Sequence, residues 1–155
     1  MLKMTIATGR YDRTAALHDG RIRPEGIDVT WLPLNVEQIF WRMFRHQEFD
    51  ASELSLSSTL IRIGRGNNDF VPIPVFLSRT FRHECLYVST KAGIGSPTEL
   101  VGKRIGLPEF QLTACVWARG ILEDEYGVRQ EDVTWVTGGL EQYGRKAQEP
   151  VRPPN

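Results

Sequence analysis

Long apolar runs, cysteine and net charge are all scarce in this 155-residue chain, and each scarcity removes a class of protein. No stretch approaches the roughly 18 apolar residues that a membrane span requires, so no membrane partner is expected. Nineteen basic residues balance nineteen acidic ones, which leaves no net field to draw in nucleic acid or anionic lipid. Only two cysteines occur, Cys85 next to Leu86 and Cys115 between Ala114 and Val116, without metal-ligand spacing. Buried thiols are therefore expected rather than a disulfide. The opening Met1-Leu2-Lys3-Met4-Thr5-Ile6-Ala7 lacks the apolar segment and cleavage site of a secretory signal, and this sets the cytoplasm as the expected compartment.

Missing motifs narrow the chemistry further. His18, His46 and His83 are far apart and fit no recognised ligand spacing, so no metal is assigned. A glycine-rich phosphate loop, a nucleophile elbow and a paired-cysteine motif are all lacking, which leaves nucleotide chemistry and serine hydrolysis unsupported and no cofactor assigned. Internal repeats and low-complexity tracts are absent too. Of the 19 cationic residues 15 are arginine; oxyanion recognition and codon bias both account for that, and codon bias does so more cheaply.

What is present is an alternation of strand-like and helical runs, the signature of an α/β protein with parallel crossovers. At this length one core could be buried. Strands are predicted at 3–7, 27–34, 49–54, 71–77, 85–89, 104–107 and 133–136. Ile39, Phe40, Met43 and Phe44 fall on one face of a predicted helix over 36–46. A second short helix should start near Ser57 and stop in the turn cluster Gly64-Arg65-Gly66-Asn67-Asn68. Ser96-Pro97-Thr98-Glu99 reads as a capping box opening a third. The strongest helix signal runs over 113–126, with Thr113 as N-cap and Gly127 as the terminating residue.

The densest chemistry follows the apolar run 71–75, in Phe76-Leu77-Ser78-Arg79-Thr80-Phe81-Arg82-His83-Glu84. Arginine presents a planar fork matched to a carboxylate, and histidine moves a proton near neutral pH, so Arg79, Arg82 and His83 suggest a site for an acidic substrate. A solvated surface turn would carry the same residues. Upstream, Phe49-Asp50-Ala51-Ser52-Glu53-Leu54-Ser55 sets a carboxylate and hydroxyls among apolar side chains. Gln111 and Thr113 follow the strand 104–107 at a helix amino end, where ligands gather in open α/β sheets, although a plain loop and cap explain them equally. Arg10 and Asp12 follow the first strand in the same way, and Asp12 doubles as a cap for a helix over 13–18. His18 and His46 read as helix-end residues.

Several of these stretches, in this order, resemble one family. Tyr11-Asp12-Arg13-Thr14, Leu17-His18-Asp19-Gly20, Pro24-Glu25-Gly26-Ile27, Phe49-Asp50-Ala51-Ser52-Glu53-Leu54-Ser55, Pro74-Val75-Phe76-Leu77-Ser78-Arg79, Phe81-Arg82-His83, Trp117-Ala118-Arg119-Gly120-Ile121-Leu122 and Glu125-Tyr126-Gly127-Val128 look like the 4,5-dihydroxyphthalate decarboxylases. The resemblance covers 11–145. It implies a fold like that of type II periplasmic binding proteins, two α/β lobes closing on a ligand, used here in the cytoplasm. Residues 1–80 would form lobe one and 83–145 the opening part of lobe two, with a hinge near 78–82 and the family's C-terminal half missing. The ending 146–155, polar and proline-rich, reads as a disordered tail. Unpaired sheet edges would favour self-association into a homo-oligomer or aggregation.

For the activity, the resemblance implies loss of one carboxylate from a small aromatic dicarboxylate, giving protocatechuate and carbon dioxide. Chemistry and placement then suggest roles. Arg79 and Arg82 would bind carboxylates, His83 would act as general acid, Glu53 would take a phenolic proton or orient His83, and Ser55 would hydrogen-bond the substrate. Arg10, Asp12, Gln111 and Thr113 complete the candidate substrate contacts. A solute-binding protein that closes on an aromatic acid without reacting is the alternative, as is an inactive fragment.

Overall fold

Parallel pairing organises every strand found. The computed structural model describes residues 1–138 and 151–154. By contacts the chain splits into two units, one formed by Met1–Ser55 with Asn68–Arg79 and the other by Leu56–Asn67 with Thr80–Asn155.

In the first unit, β1 (Leu2–Thr8) lies between β2 (Ile27–Pro33) and β3 (Ala51–Ser52). Both pairings are parallel: Leu2 stands beside Ile27, Ala7 beside Leu32 and Ile6 beside Ala51. Parallel neighbours require crossovers, and here α1 (Ala15–His18) lies in the first and α2 (Val36–His46) in the second. Asn35 caps α2 by accepting from the Glu37 N–H at 2.9 Å. Helical spacing then puts Ile39 and Met43 on the buried face, where they meet Ala7 and Phe49. Ile39 and Ala7 are fully buried; sealing a side chain of the size of Ile39 contributes roughly 1.5–3 kcal/mol. Burial along β1 deepens toward its carboxyl end, so the loop leaving Thr8 springs from the core itself.

In the second unit, β4 (Arg104–Leu107) pairs in parallel with β5 (Thr134–Thr137), from Arg104 beside Thr134 to Leu107 beside Thr137. α4 (Thr113–Tyr126) connects them and buries Cys115, Ala118 and Leu122 at helical spacing. Gly127 ends α4 in the left-handed region, φ 67°, and its N–H returns to the Glu123 carbonyl while that of Val128 returns to Leu122. The core gathers Leu100, Leu107, Phe110, Leu122, Val133 and Trp135, with Val151 packed against it. Arg119 lies 3.8 Å over the Phe110 ring and donates to the Phe110 carbonyl at 2.6 Å. α3 (Leu56–Gly64) belongs to this unit.

The α/β class stands, and five of the seven predicted strands are found. Two are corrected. Residues 71–77 form no strand, because Pro72 and Pro74 remove two alternate N–H donors from one edge. The chain instead turns there, with the Val75 N–H bonded to the Ile73 carbonyl at 2.7 Å. Residues 85–89 likewise stay outside any sheet, with Tyr87 90% exposed. Between 96 and 100 only a short 3₁₀ turn, Pro97–Leu100, appears, and the capping box does not form. Glu99 accepts instead from the Gly95 N–H at 2.9 Å, and the Ser96 hydroxyl pairs with Thr98 at 3.0 Å. Thr113 is the first residue of α4, after Leu112 as cap. Of the expected tail, 146–150 and 155 lie outside the described residues, as do 139–145.

Candidate functional site

Strand β1 delivers Thr8 and Gly9 to the point where the sheet's connections part, since β2 flanks β1 on one side and β3 on the other. Ligands of open α/β sheets bind beyond the carboxyl ends of strands at such a point. Glu53 arrives there from the end of β3, its own N–H bonded to the Ala7 carbonyl at 3.0 Å. Its carboxylate is held on both oxygens: Oε2 accepts from the Gly9 N–H at 3.0 Å, and Oε1 from the Tyr11 hydroxyl at 2.6 Å.

Tyr11 is a junction. Its ring lies under the Arg13 guanidinium at 4.8 Å. Arg13 in turn donates to the Leu77 carbonyl through Nε at 3.0 Å and through Nη2. Burial, reinforced by the Glu53 carboxylate, pushes the Tyr11 phenol up to about 12. The phenol therefore stays protonated, and stays a donor, through the physiological range. Nearby, the Thr8 hydroxyl contacts His18 Nε2 at 3.0 Å, which makes His18 a partner of the strand end.

Of the other residues predicted from sequence, Ser55, Arg10, Asp12 and Arg79 lie in the first unit. Ser55 is buried. Arg10 is exposed. Asp12 is exposed and accepts from the Arg13 N–H at 2.8 Å. Arg79 is exposed, its Nε bonded to the Phe76 carbonyl at 3.1 Å. Arg82 is half-buried and belongs to the second unit.

His83, also of the second unit, sits in a 3₁₀ turn, His83–Cys85, with Nε2 at 2.8 Å from Glu125 Oε1. It lines a cavity of about 230 Å³ together with Leu86, Val88, Ile94, Ile121 and Tyr126. Gln111 and Thr113 fasten the start of α3 to the start of α4: the Ser57 hydroxyl donates to the Gln111 carbonyl, and the Ser57 N–H to Thr113 Oγ1 at 3.2 Å. The Gln111 amide, 2% exposed, donates to Glu109 at 2.5 Å. Among the described residues no cluster of histidine, cysteine or carboxylate side chains could hold a metal ion. No described helix is long and apolar enough to cross a membrane.

Two residues of these arrangements were not read from the sequence. For Tyr11 the available signal is a tyrosine two residues past a glycine at a strand end. Glu125 gave no local signal, since its partner stands 42 positions away.

The structure thus defines an α/β chain with parallel sheets and a carboxylate-centred polar cluster at a strand-end crevice. No family model matches the chain. It is 48% identical over 140 residues to a 4,5-dihydroxyphthalate decarboxylase of Comamonas testosteroni, covering 90% of this chain and 42% of that protein. To a 4,5-dihydroxyphthalate decarboxylase of Pseudomonas putida it is 46% identical over 144 residues, covering 93% and 56% respectively. The chain is therefore homologous to 4,5-dihydroxyphthalate decarboxylases along nine-tenths of its own length, and it spans about half the length of the curated relatives it matches.

Proposed function

We propose that this chain carries part of the substrate site of a carboxy-lyase acting on 4,5-dihydroxyphthalate or a closely related hydroxylated aromatic acid. The observation that carries the reading is the identity of 46–48% with two proteins of that name along nine-tenths of the chain. The strand-end cluster around Glu53 supports it, being placed where α/β proteins bind ligands. A two-lobed frame of the type II periplasmic-binding-protein kind, with lobes at 1–80 and 83–145, belongs to the same proposal.

In the reaction, a ring hydroxyl para to the departing carboxylate pushes electron density onto the ring carbon that bears it. That carbon takes a proton, the bond to the carboxylate breaks, and its electron pair restores the ring as carbon dioxide leaves. One proton enters for each carbon dioxide released. Arg79 and Arg82 are assigned to the carboxylates, as bidentate partners of a dianion. His83, oriented by Glu125, is the general acid. Glu53 accepts from a ring hydroxyl as its electron density is drawn on, and Ser55, Arg10, Asp12, Gln111 and Thr113 complete the assignment of substrate contacts.

The test is calorimetric titration of the purified chain with 4,5-dihydroxyphthalate, followed by assay for carbon dioxide in the same sample. Binding is expected, and release of carbon dioxide with it would show that this chain carries the complete site. Binding without release would leave a solute-binding role, and no binding by folded chain would overturn the proposal.

A further inference from the structure

Glu53 uses one lone pair on each oxygen for Gly9 and Tyr11, at 3.0 and 2.6 Å. A carboxylate has about four acceptor positions, so two remain for a further donor. The groups that hold it, Gly9 and Tyr11, come from the loop after β1, and the Tyr11 ring lies under Arg13, whose Nε donates to the Leu77 carbonyl. Arg79 follows Leu77 in the same segment. Tyr11 and Arg13 thus tie the carboxylate at the strand ends to the segment bearing Arg79.

We infer that Tyr11 is a positioning residue, which fixes the Glu53 carboxylate as the acceptor for a ring hydroxyl of the ligand and so makes selection depend on hydroxyl groups as well as carboxylates. The inference rests on the function proposed above and adds to it the basis of choice between hydroxylated and plain aromatic acids. Two observations favour this over simple space filling. Gly9 has no side chain where a Cβ would meet Tyr11 Oη at 2.9 Å, so the loop is shaped around this hydroxyl. A ring needed only for bulk would serve as well without it. The phenol also keeps its proton up to about pH 12, so it donates to Glu53 throughout the range in which the ligand keeps its own hydroxyl protons. Glu53 then remains an acceptor, and a hydroxyl is what it accepts from.

The experiment compares wild-type chain with Tyr11→Phe by calorimetry, using 4,5-dihydroxyphthalate and phthalate, which has the same two carboxylates and no hydroxyls. Tyr11→Phe should lose about tenfold in affinity for the hydroxylated acid, the effect of one misplaced charge-assisted hydrogen bond, while phthalate affinity stays within about twofold. Equal loss for both ligands would overturn the inference and leave the proposed function standing. Failure of the wild-type chain to bind either ligand would overturn both. Should Tyr11→Phe not fold, Glu53→Gln replaces it, with the same selective loss expected and the same equal loss against.

Discussion

A Cβ on Gly9 would stand 2.9 Å from Tyr11 Oη and 3.0 Å from Val36 Cγ2, closer than packed atoms approach. Glycine is therefore required at this position by the ring beside it. In Gly9→Ala the ring must swing aside, which breaks the bond to Glu53. We expect a loss of about 1–3 kcal/mol in unfolding free energy, read from denaturant titration. An alanine variant as stable as the parent would show that the ring moves at no cost.

Tyr11 also sets an alkaline limit. Its phenol titrates near 10 when unfolded and is raised to about 12 in the fold, by burial first and by Glu53 second. A folded value above the unfolded one means that the proton is held more tightly by the native state. The associated stability is complete below pH 10 and disappears as pH climbs from there to about 12. Unfolding midpoints measured across that interval should fall less steeply in Tyr11→Phe than in the parent. Identical slopes would remove Tyr11 from the account.

Cys115 faces the second core at 6% exposure, and burial pushes its thiol up, against a weaker opposing pull from Arg119. Since the thiolate is the reactive species, native chain treated with an alkylating reagent near pH 8 should be modified at half-buried Cys85 before Cys115. Peptide mapping by mass spectrometry reads the order. Full labelling of Cys115 before the chain unfolds would contradict the packing described.

Helices α2 and α4 were legible because their information is local. Ile39, Met43 and Phe44 recur at helical spacing, and Gly127 supplies the left-handed residue that ends α4. Strands β1, β2 and β4 declared themselves by short apolar runs before turn residues. The run 71–77 misled because its valines and isoleucine carry the composition of a strand while its prolines deny the hydrogen bonds. Tyr87 and Val88 misled in the same manner, by side-chain type alone.

At the site, Glu53 was readable as a carboxylate out of place among apolar neighbours. Its bond to Tyr11 was not, since the two residues are 42 positions apart and only the parallel pairing of β1 with β3 brings them together. Gln111 was readable as a polar residue at a helix start, but its tie to Ser57 spans 54 positions. Sequence order shows which groups follow a strand. It does not show which of them tertiary structure has already engaged.

The segment Val71-Pro72-Ile73-Pro74-Val75 presents large apolar side chains to solvent, Val71 at 88% and Ile73 at 69%. Its two edges are chemically unequal. Drawn out as a strand, it would keep the donors of Val71, Ile73 and Val75 along one edge and none from Pro72 and Pro74 along the other. A neighbour could be recruited on the first side, but the second offers only carbonyls. Any sheet that took in this segment would stop growing there, so apolar exposure at 71–75 is separated from the open-ended stacking that drives fibrils.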